Sequence, residues 1–304
     1  MTDPIQPQPE TFGVDTAQFT PGLYLVATPI GNAADITLRA LALLNHADLV
    51  ACEDSRVTGP LLKRYGIGTS LFPYHEHNAA KVRPQLLQKL QAGAVVALVS
   101  DAGTPLINDP GYKLVRECIS LGIAVTALPG ASAVLTGLSL SGLPSDRFLY
   151  AGFPPPKDSA RQKWLAEFKT MAATLVFLES PQRLAESLAA MAAVLGGQRE
   201  AAVARELTKK FEEVRRGTLT DLAAHYAEHG PPKGEITLVV GPPPEDAVAL
   251  TADDLDTALR EAMARLPLRQ AVDEVATVLN LARKPVYARA LDLKEAGEPK
   301  GDRD

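Results

Sequence analysis

From residue 23 onward, short apolar runs alternate with stretches in which apolar residues recur every three or four positions. The runs at 23–27, 49–52, 95–99 and 124–128 read as strands. Between them Leu38, Leu41 and Leu44, then Leu86, Leu87 and Leu90, then Leu114, Val115 and Cys118 keep helical spacing. Strands alternating with helices predict a parallel sheet with helices packed on its faces. A second set of runs follows at 148–151, 174–177, 201–204 and 236–240, with helical segments near Lys163 and over 184–195 and 219–229. Gly142 and Pro144 punctuate the pattern between the sets. Two α/β domains, 21–143 and 144–244, are therefore expected, with a cleft between them.

Beyond the turn signal at 241–244 the chain is strand-poor, with Leu and Ala at helical spacing, which predicts a small helical appendix over 250–295. Its final helix is expected at 284–293, after a break around Asn280. Residues 1–20, with Pro4, Pro7 and Pro9, have the composition of a disordered tail, and 296–304 that of a flexible one.

Composition narrows the class. At 304 residues with 46% apolar and 22% charged side chains, there is material for a sizeable core. No apolar run reaches the roughly 18 residues a membrane span needs, and the start lacks a basic stretch followed by an apolar core, so a cytoplasmic protein is expected. Cys52 and Cys118 sit in apolar segments without zinc or redox spacing and read as buried thiols. The balance of 31 Lys and Arg against 36 Asp and Glu, a net charge of -5, argues against indiscriminate coating of a polyanion. It leaves room for a local grip. From Arg260 to Lys294 basic residues outnumber acidic ones, so the appendix is a candidate RNA contact.

Three loops, each directly after an expected strand, carry small residues where a ligand can approach the backbone. They are Thr28-Pro29-Ile30-Gly31-Asn32, then Ser100-Asp101-Ala102-Gly103-Thr104-Pro105 running on into Asn108-Asp109-Pro110-Gly111, and Pro129-Gly130-Ala131-Ser132-Ala133. In a parallel sheet these strand ends share one edge, where ligands bind. None matches the dinucleotide or Walker phosphate loops. Glu53-Asp54-Ser55-Arg56 follows the second strand, and His75-Glu76-His77-Asn78 follows a short run at 71–74. The acids could simply pair with Arg56, and Asn78 could cap a helix. An i, i+2 histidine pair without a third ligand is a weak metal signature, so no metal is expected.

Taken in order, the loops resemble the tetrapyrrole methylase superfamily over roughly residues 22–244. The wording Ala-Thr-Pro-Ile-Gly-Asn-x-x-Asp-Ile-Thr-x-Arg-Ala at 27–40 is similar to its small-subunit ribosomal RNA methyltransferase branch. So are Glu-Asp-Ser-Arg-x-Thr-Gly at 53–59, His-Glu-His-Asn at 75–78 and Ser-Asp-Ala-Gly-Thr-Pro-x-Ile-x-Asp-Pro-Gly-Tyr at 100–112. Ser55 and Ser132 depart conservatively from the Thr and Cys usual there. The resemblance implies two α/β domains of tetrapyrrole methylase type, a helix-turn-helix-like appendix, a homodimer, and S-adenosylmethionine as cofactor. It implies 2'-O-methylation of a cytidine ribose in the 16S RNA of the 30S ribosomal subunit. A tetrapyrrole (precorrin-type) methyltransferase and a non-catalytic RNA-binding or ribosome-assembly protein remain the alternatives.

On that reading, Pro29, Gly31, Asp101, Ala102, Gly103, Thr104, Pro129, Gly130 and Ser132 are the candidate cofactor residues. A ribose hydroxyl is a poor nucleophile at neutral pH, so a base or precise alignment is needed. Glu53, Asp54, His75, His77 and Asp101 are candidates for it, with the Glu53-Asp54 pair favoured as catalytic. Arg39, Arg56, His75, His77, Asn78, Lys157 and Arg161 are expected at the RNA. Arg205, Lys209, Lys210, Arg215 and Arg216, interleaved with Glu206, Glu212 and Glu213, read first as surface or cross-strand pairs, with RNA contact competing.

Overall fold

The computed structural model describes residues 15, 19–244, 252–279 and 281–297, the side chains of 252–254 and 295–297 excepted. The chain divides into two compact units, one ending at Pro242 and one beginning at Pro243.

The first unit holds two five-stranded sheets. In the first, β1 (Gly22–Val26), β2 (Leu49–Cys52), β3 (Leu71–Pro73), β4 (Val95–Val99) and β5 (Val125–Leu128) are all parallel, in the order β3-β2-β4-β1-β5. The central strands are covered on both faces, which is why β4 reads as an unbroken Val-Val-Ala-Leu-Val run instead of alternating. Helices α1 (Leu38–His46), α2 (Ser55–Arg64), α3 (Ala79–Gln91) and α4 (Tyr112–Ser120) form the connections. The chain leaves β1 for β2, beyond β4, and leaves β4 for β5, beyond β1. Their loops diverge, and a crevice opens at the shared strand ends.

In the second sheet β6 (Phe148–Gly152), β7 (Thr174–Glu179), β8 (Glu200–Arg205), β9 (Glu213–Thr218) and β10 (Ile236–Val240) run in the order β6-β7-β10-β8-β9. Only β6 and β7 are parallel, so this half is a mixed sheet and not a second parallel one. Strand β9, unrecognised in the apolar pattern, is an edge strand whose Arg215 and Arg216 face solvent; charge is how natural sheets protect an edge. Arg205 lies directly opposite Glu213 and pairs with it at 3.1 Å.

Helix α5 (Ala133–Ser141) packs Val134 and Leu138 against Val176, Ala202 and Val239 of the second sheet. The structural change-over therefore falls between β5 and α5, earlier than the 143/144 boundary. Gly142, at φ 77°, ends that helix, and this is what the sequence punctuation marks. Helices α6 (Asp158–Ala166), α7 (Leu184–Leu195) and α8 (Leu219–His229) cover the other face.

Phe19 is buried, its ring 6.0 Å from that of Tyr24, so the expected N-terminal tail ends before it. The rest of both tails, apart from a few edge residues, and Asn280 lie outside the described residues.

The second unit comprises helices Ala252–Arg265, Leu268–Val278 and Arg283–Gly297 around a core that includes Leu259, Val272, Val275 and Val286. Its positive balance is largely neutralised internally. Arg289 makes a bidentate contact to the buried Asp256, Arg265 pairs with Glu274, and Arg283 pairs with Asp273. Arg260 lies 3.9 Å from the same Asp256, and among the described residues Arg269, Lys284 and Lys294 stand outside these pairs.

Candidate active site

The loops leaving β1, β4 and β5 are tied into one surface. Thr28 N donates to the Gly103 carbonyl (2.9 Å) and Gly103 N donates back to Thr28 O (3.0 Å), a two-residue antiparallel bridge. Thr28 Oγ1 donates to Ser100 O (3.1 Å), Ser100 Oγ to Gly103 O (3.0 Å), and Thr104 Oγ1 to Ala131 O (3.2 Å). Gly103 sits at φ 83°, a backbone conformation that disfavours a side chain.

Beside these loops lies a cavity of about 390 Å³. Ile30, Ala102, Gly103, Thr104 and Ile107 wall it from the first half, and Ser132, Ala133 and Val134 from the start of α5. Phe153, Leu178, Glu179, Ser180, Pro181 and residues 234–237 close it from the second half. The lining is mainly apolar with a few hydroxyl-bearing residues, as expected of a small-molecule cleft. Glu179 is fully satisfied: it accepts from Ser180 N (2.7 Å) and Ser187 Oγ and pairs with Arg183 (2.6 Å).

Of the residues assigned to the cofactor from sequence, the structure brings Ala102, Gly103, Thr104 and Ser132 to this wall. Pro29, Gly31, Asp101, Pro129 and Gly130 are not part of it. The glycines explain part of this. A Cβ on Gly130 would stand 2.7 Å from Ala27 Cβ, and one on Gly31 would stand 2.4 Å from Lys209 Cγ. At both positions the chain itself occupies the space a side chain would need. The second half's contributions have no signature in the chain, since they come from three separate segments, Phe153, residues 178–181 and residues 234–237, that only folding assembles.

The same loop, continued, walls a second cavity of about 390 Å³, lined by Glu53, Tyr74, Glu76, Arg83 and residues 108–113 among others. Here the chemistry is acidic. Burial, then the charges of Glu53 and Asp101, push the Asp109 carboxyl up to about 6, against which the Ser100 hydroxyl works. Burial and Asp101 likewise raise Glu53. Tyr150, on β6, has a buried hydroxyl without a hydrogen-bond partner among the described residues; burial and the nearby Asp109 push it up to about 12. Asp101 turns to this side, its Oδ1 accepting from Asp54 N at 3.0 Å.

Asp54 behaves differently from Glu53. It is the N-cap of α2, accepting from Arg56 N (2.8 Å) and holding the Arg56 guanidinium at 2.6 Å. Those hydrogen bonds hold its carboxyl down at about 2, which makes it a poor proton acceptor. Asp109 is the residue that sequence reasoning passed over. It lies inside the second ligand loop, where the small residues and Asp101 carry the sequence signal and its own carboxyl does not.

The RNA candidates divide. Arg39, His77 and Lys157 are exposed; Arg56 is exposed but paired with Asp54. His75 is partly buried, its Nδ1 without a hydrogen-bond partner among the described residues and its ring 6.1 Å from that of His77. Asn78 stands before α3 without capping it through its side chain, which instead accepts from His75 N and donates to Pro73 O. Arg161 is corrected: it is 2% exposed, on the α6 face turned to α7, where it pairs with Asp158 (2.9 Å) and Glu186 (3.8 Å). It cannot reach a phosphate from there.

Fold and site together define a methyltransferase of the tetrapyrrole methylase class. The family model for Tetrapyrrole (Corrin/Porphyrin) Methylases matches residues 22–223, and uroporphyrin-III C-methyl transferase from Thermus thermophilus, solved complexed with S-adenyl homocysteine, superposes with a TM-score of 0.50 at 20% identity, over 72% of this chain and 97% of that one. Sequence similarity narrows the class. The RsmI C-terminal HTH domain model matches residues 248–294. A ribosomal RNA small subunit methyltransferase I from Mesorhizobium japonicum is 54% identical over 92% of this chain and 95% of its own length, and one from Escherichia coli O157:H7 is 47% identical over 89% and 94%. The chain belongs to the ribosomal RNA small subunit methyltransferase I family.

Proposed function

We propose that this enzyme transfers the methyl group of S-adenosylmethionine to the 2'-hydroxyl of a cytidine ribose in 16S RNA of the small ribosomal subunit, as a cytoplasmic homodimer. The observation that carries the reading is the pairing of an apolar cavity with an acidic one on successive stretches of a single loop. Its relatives' names favour ribosomal RNA over a tetrapyrrole. Ile119, Leu121 and Leu135, large apolar side chains exposed to solvent, support self-association.

The donor fits the first cavity. Its lining is mainly apolar, Gly103 offers bare backbone, and Thr104 and Ser132 lie at the wall. The bound sulfonium supplies an activated methyl group and leaves as a neutral thioether, so the protein's task is alignment and removal of one proton. Ala102, Gly103 and Thr104 would hold the donor. Asp109, with its carboxyl near 6, is mostly ionised at pH 7 and basic enough to accept a proton from the ribose hydroxyl. Glu53 tunes it and shares the cavity. Lys157, Arg39 and His77, all exposed, are the candidates for phosphate contact.

The test is mass spectrometry of small-subunit RNA after incubation with enzyme and donor, using assembled 30S particles and naked RNA in parallel. Donor-dependent 2'-O-methylcytidine is expected. Its absence from both substrates would end this reading.

A further inference from the structure

The turn between β8 and β9 displays Phe211 with 65% of its surface in water, and Lys210 Nζ stands 5.6 Å from the centre of that ring. The turn is rigidly seated. Glu206 N donates to Glu235 O (3.0 Å), and Lys209 Nζ donates to Glu206 (2.7 Å) and Glu235 (3.1 Å). Thr208 Oγ1 accepts from Asn32 N (3.1 Å), and the stem of Lys209 lies over Gly31. Glu206 and Thr208 hold left-handed φ values of 51° and 66°, which non-glycine residues adopt only where the surroundings impose it. Both anchors, the 28–32 loop and residues 234–235, also contribute to the wall of the apolar cavity. The carboxylates of the turn are spent internally, since Glu212 accepts from Thr208 N (2.6 Å). Next to it, Arg205, Arg215 and Lys233 line a groove of about 330 Å³ in which Glu213 is shared by both arginines, so cations are in excess.

We propose that Phe211 is a stacking platform for an unpaired base of the RNA substrate, with Lys210 and the Arg205, Arg215 and Lys233 groove holding the adjoining phosphates. This rests on the reading of RNA as the substrate. An exposed ring beside excess positive charge is how single strands are held, the ring meeting the base and the cations the backbone. A fixed aromatic beside the donor cavity would set which nucleotide presents its ribose.

The full-length protein tests it, with a short single-stranded RNA for fluorescence anisotropy and 30S particles for methylation. Phe211→Ala is expected to weaken RNA binding and kcat/KM about 5- to 150-fold, as about 1–3 kcal/mol per stacked base implies. Phe211→Trp restores both, and donor affinity by calorimetry and sedimentation mass stay unchanged. Lys210→Gln lowers the salt slope of RNA binding by about one, a readout independent of how well Phe211→Ala folds. An active wild type with Phe211→Ala equally active would overturn the platform alone. A changed sedimentation mass would also overturn it, assigning the ring to contact between two copies. A wild type that neither binds nor methylates RNA removes the substrate reading and this proposal with it.

Discussion

The two cavities of the α/β body have the same volume, about 390 Å³ each, and take successive stretches of one loop as a wall, yet their linings are opposite in character. Residues 102–107 face apolar neighbours drawn from both sheets; residues 108–113 face Glu53, Glu76 and Arg83. One chamber suits a ligand that must be desolvated and held, the other a proton that must be moved. The apolar lining of one chamber and the raised Asp109 carboxyl of the other both follow from burial at the strand ends.

The largest expected effect separates them by function. Asp109→Asn should lower kcat on 30S particles by about 10²–10⁴-fold, the usual worth of a positioned proton acceptor, while donor affinity by calorimetry stays within about twofold. Equal losses in both would mean the chambers are not separate. In the other direction, Gly103→Val adds a branched side chain at φ 83°, with its Cβ 3.3 Å from Ile30 Cγ2. Donor affinity should fall about 10- to 100-fold, an order-of-magnitude figure for a blocked contact costing about 1.4–3 kcal/mol, and the folding midpoint should drop as well, because a β-branched residue at positive φ is strained by about 1–3 kcal/mol.

This division was only partly readable in the chain. Strands β2, β4 and β10 match the apolar runs residue for residue, because burial on both faces leaves a continuous signal. Strand β9 escaped, as its Glu-Val-Arg-Arg wording is shaped by an exposed edge. The three candidate ligand loops were legible from Gly and Pro after each strand, but which glycines face the cavity was not: Gly31 and Gly130 are small to admit Lys209 and Ala27. Arg161 looked like surface charge since one-dimensional spacing cannot tell which face of α6 meets α7. Asp109 and Tyr150 influence each other only because the two sheets bring them near, a proximity no local pattern records.

The acidic chamber also predicts a pH dependence. If the ionised Asp109 accepts the proton, kcat/KM should fall about tenfold per pH unit below about 6, and be flat above it until another group intervenes. Asp109→Asn should abolish that limb. Stability must move the opposite way. The Asp109 carboxyl is raised in the fold, so the fold gains from this group below the ordinary value of 3.8 and loses that gain as pH rises through about 6. At pH 8, Asp109→Asn should therefore be more stable than wild type, by about 1–2 kcal/mol in denaturant unfolding once partial access to water is allowed for. At pH 3.5 the difference should nearly vanish.

The smallest effect is the most discriminating. Burial is the main cause of the raised Asp109 carboxyl and the charge on Glu53 is the second. Glu53→Gln removes only the second, so the acidic limb should move to lower pH by less than about one unit, with the plateau rate little changed. Asp54→Ala is the control from the same dipeptide: it strips the N-cap of α2, at a cost of about 1 kcal/mol, but Asp54 does not contribute to raising Asp109, so the limb should stay where it is. A limb that shifts with Asp54 and not with Glu53 would transfer the proton to the other member of the pair. A limb that ignores both, while vanishing in Asp109→Asn, would mean that desolvation alone sets the carboxyl's basicity.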